Sequence, residues 1–110
     1  MDITKIIIAD NQNDWKNKSG TGSRTCSCGS WQAHWENFSK RRRSFALQKC
    51  SVLGCSKPAE HGAHIFRAED GMTEWIAPLC AECNSHSNTE AFPLKIGTAL
   101  VSANKKETCG

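Results

Sequence analysis

Tyrosine is absent from this 110-residue chain, and proline and methionine are scarce, at three and two residues. Large apolar side chains are scarce as well. Seven Ile, five Leu, two Val and four Phe make up roughly 16% of the chain, under the ~20% below which chains with little to bury tend toward disorder. Mean hydropathy is -0.53, so burial alone does not hold such a fold. A mass of 12.1 kDa suits one domain and excludes a two-domain enzyme with separate cofactor and substrate halves. No apolar run approaches the ~20 residues needed to span a bilayer. The longest run near the N-terminus, Ile6 to Ala9, lies between Asp2 and Asp10 and lacks a small-residue cleavage site, unlike a signal peptide. A cytoplasmic protein without membrane association is expected. The sequence has no internal repeat and no low-complexity tract.

Against this thin core stand seven cysteines and four tryptophans. Cysteine staples a small fold either by disulfides in an oxidising compartment or by metal in a reducing one. An odd count would strand one thiol in a disulfide framework, and no secretion signal is evident, so metal is favoured.

Residues 1–24 are expected to form a short N-terminal strand, carried by Ile3, Ile6, Ile7 and Ile8, and a polar loop over 11–24. Residues 25–110 then make a single zinc-binding domain. Ser30 is a plausible N-cap, and Trp31, Trp35 and Phe38 recur at helical spacing, which predicts an amphipathic helix over about 30–43. Phe45 to Lys49 reads as a strand. Two further strands are expected around His64 to Phe66 and Glu74 to Leu79, joined by a turn at Glu69-Asp70-Gly71. A short helix after Cys83, stopped by Pro93, and a last strand over Lys95 to Ser102 complete a small α+β architecture.

Cys50, Cys55, Cys80 and Cys83 form C-x4-C and C-x2-C pairs separated by 24 residues. Zinc takes four soft ligands at tetrahedral corners, and two short-spaced pairs on separate turns supply them. Gly54 suits the tight backbone of the first turn. Cys26, Cys28 and Cys109 remain. His34, on the helix following Cys28, brings the ligand set to eight, enough for two structural zinc ions with no thiol left over. The plainer reading is that His34 packs between Trp31 and Trp35 while those three cysteines are ordinary thiols.

Net charge is +3. Lys40, Arg41, Arg42 and Arg43 stand together; such a run either complements a helix C-terminus or contacts phosphates, with Lys49 and Lys57 as further contacts.

The strand between the two cysteine pairs carries Gly62-Ala63-His64-Ile65, and Asn84 directly follows Cys83. Over residues 50–90 the chain resembles the HNH, or ββα-metal, endonucleases, nearest to the phage recombination endonuclease VII type. The resemblance implies a zinc-stabilised treble-clef domain with Cys50, Cys55, Cys80 and Cys83 as zinc ligands. It makes His64 the general base and Asn84 a ligand of a catalytic magnesium or manganese ion for phosphodiester hydrolysis. The family's metal-ligating Asp or His immediately before the catalytic His is here Ala63, and a methyl group does not ligate a cation. His61 or His86 would have to substitute. Otherwise His64 supports the cysteine zinc, ligates it, or is a buried imidazole bonded to backbone.

Two classes of function follow. The first is a zinc-binding, HNH-like protein acting on or binding DNA or RNA. The alternative is a catalytically inactive, zinc-stabilised protein-interaction module, for example a phage-encoded or toxin-associated inhibitor or adaptor. For that alternative, exposed Trp15 or Trp75 would anchor the partner.

Overall fold

Five short segments, β1 (Ile6–Ile8), β2 (Lys16–Asn17), β3 (His61–Phe66), β4 (Glu74–Leu79) and β5 (Ala99–Ser102), pair into one antiparallel sheet of order β1-β5-β4-β3-β2. The computed structural model describes residues 6–8, 15–18, 27–39, 44–67, 73–85 and 90–104. A single helix among them, α1 (Trp31–Phe38), makes the class α+β.

The register Gly62 to Pro78 and Ala63 to Ala77 between β3 and β4 sorts side chains to two faces. Ala63, Ile65, Trp75, Ala77, Leu79 and Leu100 go to one, where Trp15, Cys50, Cys80, Phe92 and Leu94 cover them. Ile76, Ala99 and Val101 go to the other, under Trp35 and Phe45. Strand β4 is therefore buried on both faces, which explains why it reads as a continuous apolar run. Its Pro78 is tolerated because its carbonyl points away from β3, toward the backbone N–H and hydroxyl of Ser51 (2.9 and 2.7 Å). The N–H that proline lacks thus falls on the side β5 does not reach.

Ser30 caps α1 through its hydroxyl, which accepts from the Ala33 N–H at 3.0 Å, as expected for that residue type. The helix packs its first turn onto Gly62. A Cβ there would lie 2.6 Å from the Trp31 carbonyl carbon and 2.9 Å from the Gln32 nitrogen, both backbone atoms that move only with the whole helix. Gly62→Ala is therefore expected to destabilise the protein by about 1–3 kcal/mol, the usual range for overpacking. Urea denaturation checks this; an unchanged midpoint would mean that α1 slides without cost.

Several sequence expectations are corrected. The helix ends at Phe38, with Ser39 as an extended C-cap whose N–H reaches the Trp35 carbonyl; Lys40, Arg41, Arg42 and Arg43 lie outside the described residues. Phe45–Leu47 is a 3₁₀ helix, not a strand. The Phe45 N–H donates to the Glu36 carboxylate at 2.8 Å, tying the turn to α1. The last strand begins only at Ala99, because Lys95 to Thr98 forms a turn closed by the Thr98 N–H and hydroxyl on the Lys95 carbonyl. Ala81 to Asn84 is a turn and no helix; the rest of that expected helix, 86–89, and the turn at Glu69-Asp70-Gly71 lie outside the described residues.

Trp15 and Trp75 are not surface anchors, being 1% and 6% exposed. Trp15 falls in the expected loop, yet it exchanges two backbone hydrogen bonds with Phe92 and lies under the Arg67 guanidinium, 4.5 Å from the ring centroid. A protein so short of aliphatic residues uses its indoles to fill the core.

Candidate functional site

The first cysteine turn grows from a small ladder. The Cys50 N–H bonds the Lys57 carbonyl, the Ala59 N–H bonds the Gln48 carbonyl, and the tip closes with the Cys55 N–H on the Val52 carbonyl at 3.0 Å. Gly54 supplies the left-handed backbone at the tip, with φ at 87°. The second turn follows β4 directly. There the Asn84 N–H bonds the Cys80 carbonyl at 3.0 Å, and the Cys83 N–H points at the Cys80 sulfur at 3.4 Å.

These turns place the sulfurs of Cys50, Cys55, Cys80 and Cys83 within 4.8 Å of one another. Cys55 and Cys80 Sγ are 3.9 Å apart, close to the ~3.8 Å that tetrahedral corners at a metal–sulfur distance of ~2.3 Å require. Cys50 and Cys80 are buried, and Cys55 and Cys83 half-buried. The four can hold a metal ion. Burial pushes the Cys50 and Cys83 thiols up. Burial acts on Cys80 in the same direction, but donors from Cys83, Cys50 and Cys55 outweigh it and hold that thiol below its ordinary value.

Neighbouring groups pin both turns. Lys95 Nζ donates to the Cys55 carbonyl at 2.6 Å, Asn17 Nδ2 to the Cys83 carbonyl, and the Ala81 N–H to the Glu60 carboxylate at 2.9 Å. Lys57 and Glu82 pair across the two turns at 2.6 Å, both solvent-exposed. The pairing raises the lysine and lowers the carboxylate, with little net stabilisation at so exposed a position.

Beside this cluster lies a cleft of about 360 Å³, lined from β3 by His61, Gly62, Ala63 and His64, from the start of α1 by Ser30, Trp31 and Gln32, and by Asn84 from the second cysteine turn. His64 and Asn84 thus share one cavity. The His64 ring is 4% exposed and meets the Trp31 indole edge-on, with centroids 4.4 Å apart. His61, at the start of β3, is exposed. Gln32 Nε2 donates to the Glu60 carbonyl, which fixes the wall opposite. Ala63 is 1% exposed and belongs to the apolar core. Among the described residues no carboxylate lines the cleft.

Scans against family models, curated proteins and solved structures return no match.

His34 is fully buried under Trp31 and Phe38, with ring centroids 4.9 and 5.3 Å away. Its Nε2 lies 2.8 Å from the Ser102 carbonyl. Burial lowers its basicity, against the opposing pull of that carbonyl. Cys28 is half-buried, whereas Cys26, Cys109 and His86 lie outside the described residues. Among the described residues no helix is long and apolar enough to cross a membrane.

Sequence reasoning passed over Ser30, Gln32 and Gly62 as cleft residues and treated Trp31 as core. The one local signal was Gly62 itself, a glycine inside a strand, which marks close approach of another backbone.

Proposed function

We propose that this protein is a zinc-stabilised, HNH-like treble-clef module that binds nucleic acid through its cleft, without the metal-dependent hydrolysis of that family. The observation that carries this reading is the lining of the cleft. Two imidazoles, His61 and His64, stand with the amide of Asn84, and among the described residues no carboxylate joins them. Such a set offers donors to a phosphodiester and brings no anionic oxygen ligand, of the kind that usually holds magnesium, beside the Asn84 amide. The side chain that would complete a magnesium site is the methyl of Ala63, buried in the core. These residues do not fit that ion.

In this reading zinc occupies Cys50, Cys55, Cys80 and Cys83 as a structural ion, since soft thiolates at tetrahedral spacing select it. A second zinc on Cys26, Cys28, His34 and Cys109 belongs to the same proposal. The Ser102 carbonyl at His34 Nε2 suits it, because a ligating imidazole usually donates its other N–H to such an acceptor. Metal analysis of the purified protein decides: two zinc per chain supports the second site and one removes it.

The nucleic-acid reading is tested by anisotropy titrations with labelled single-stranded and duplex DNA and RNA. Binding is expected to fall steeply with salt, and His61→Ala and Asn84→Ala should each weaken it about threefold to tenfold at low salt. Replacing Arg41, Arg42 and Arg43 by alanine should flatten the salt slope. Binding that ignores both salt and these substitutions would sink the proposal. Magnesium- or manganese-dependent cleavage that His64→Ala abolishes would reinstate the hydrolytic reading.

A further inference from the structure

A second groove, of about 330 Å³, lies between the 3₁₀ helix at Phe45–Leu47 and the turn before β5. Its lining is mixed: buried Trp35, Pro78 and Ala99 stand with the likewise buried Ser51, and exposed Leu47 and Ile96 border it. Large apolar side chains well exposed among the described residues are Leu47 (82%), Ile96 (66%) and Leu53 (42%). Two of these three border the same groove. Neither is a casualty of local geometry. In the 3₁₀ helix Phe45 already takes the core-facing position. Ile96 sits at the tip of the turn closed by Lys95 and Thr98, next to Gly97 at a φ of 93°, where short polar residues are the usual choice. Together Leu47 and Ile96 give the groove an exposed apolar border that contact with another molecule would cover.

Charge selects the occupant. Lys49 and Lys95 line the groove, and among the described residues no Asp or Glu does. A nucleic acid would use the lysines but gain nothing from Leu47 and Ile96, and the one aromatic available for stacking a base, Trp35, is 1% exposed. An acidic peptide with a large apolar side chain satisfies both features at once, its side chain seated between Leu47 and Ile96 against Trp35 and Pro78 and its carboxylates toward Lys49, since Lys95 Nζ is already held by the Cys55 carbonyl. We propose that this groove docks an acidic, apolar segment of a partner protein, independently of the His64 cleft.

The probe is a displayed library of random twelve-residue peptides, selected against the full-length, metal-loaded protein. Enriched sequences are expected to combine acidic residues with a spaced Leu, Phe or Trp. One such peptide, synthesised and titrated into isotopically labelled protein, should shift the amides of Leu47, Lys49 and Ile96. Leu47→Ser and Ile96→Ser should each weaken it about tenfold or more, a loss typical of interface anchors. Lys49→Glu should weaken it most at low salt. These side chains are exposed, so unchanged melting temperatures certify that the variants still fold. The proposal is overturned if selection enriches nothing, or enriches peptides without acids. It is equally overturned if the shifts map to the His64 cleft, if the variants bind like the parent, or if only self-association of the chain covers Leu47 and Ile96.

Discussion

Cys80→Ser is expected to cost the protein its cooperative thermal transition, and stripping the metal from the unaltered chain with a strong chelator is expected to do the same. Stability for 110 residues should be of order 5–15 kcal/mol, whereas a structural zinc contributes an apparent ~10–16 kcal/mol to small domains. A zinc ion held by the four cysteines would thus contribute a share comparable to the whole. The site joins the ladder of residues 48–59, the end of β4 and the turn to Asn84, and Cys50 and Cys80 pack directly into the larger core cluster. Without the cation, buried thiols would face one another at contact distance with no bond between them. Acid should act in the same direction, since protons compete with the metal for four thiolates and stability falls as pH falls. Circular dichroism melts paired with measured metal content check this. A melting curve unchanged after verified removal of the metal would mean that the sheet stands by itself.

Trp35→Ala should destabilise the protein by about 3–5 kcal/mol, the range for removing a buried indole. Trp35 is 1% exposed, meets Phe45 edge-on at 5.9 Å, and donates from Nε1 to the Ala99 carbonyl at 2.9 Å. It is the main link between α1 and the second face of the sheet. Truncation leaves a cavity over Ile76 and Val101 and strands the Ala99 acceptor. Trp35→Phe separates the two effects. Keeping most of the ring while losing the donor should cost only about 1–3 kcal/mol, the penalty of an unsatisfied buried acceptor. Equal losses in the two variants would show that the hydrogen bond carries the whole effect and the packing none.

The parts of the fold that local chemistry governs were legible. Ser30 as N-cap, the β3 and β4 strands and the two cysteine pairs all follow from residue types at short spacing, where a side chain's partner lies within a few residues or one turn away. What escaped depended on distant neighbours. Phe45 to Leu47 has strand-like composition, but the carboxylate of Glu36 holds the Phe45 N–H and turns the chain into a 3₁₀ helix. Trp15 sits in a polar stretch that reads as solvent-exposed, yet its backbone pairs with Phe92 and its ring fills the core. A single indole in a polar stretch carries no periodicity, so only the packing partner reveals its place.

The same division runs through the candidate sites. By itself the sequence determined that four sulfurs on two short turns would converge, because ligand spacing is a local property and a thin core leaves a staple as the way to hold the chain together. It also placed His64 and Asn84 near that staple. Only the tertiary structure decided that Ala63 turns into the core, that α1 sits close enough on Gly62 to wall the cleft with Trp31 and Gln32, and that Leu47 and Ile96 meet over one groove. Each of these depends on which face of a strand or turn a side chain takes, and that is settled by the packing of segments far apart in the chain.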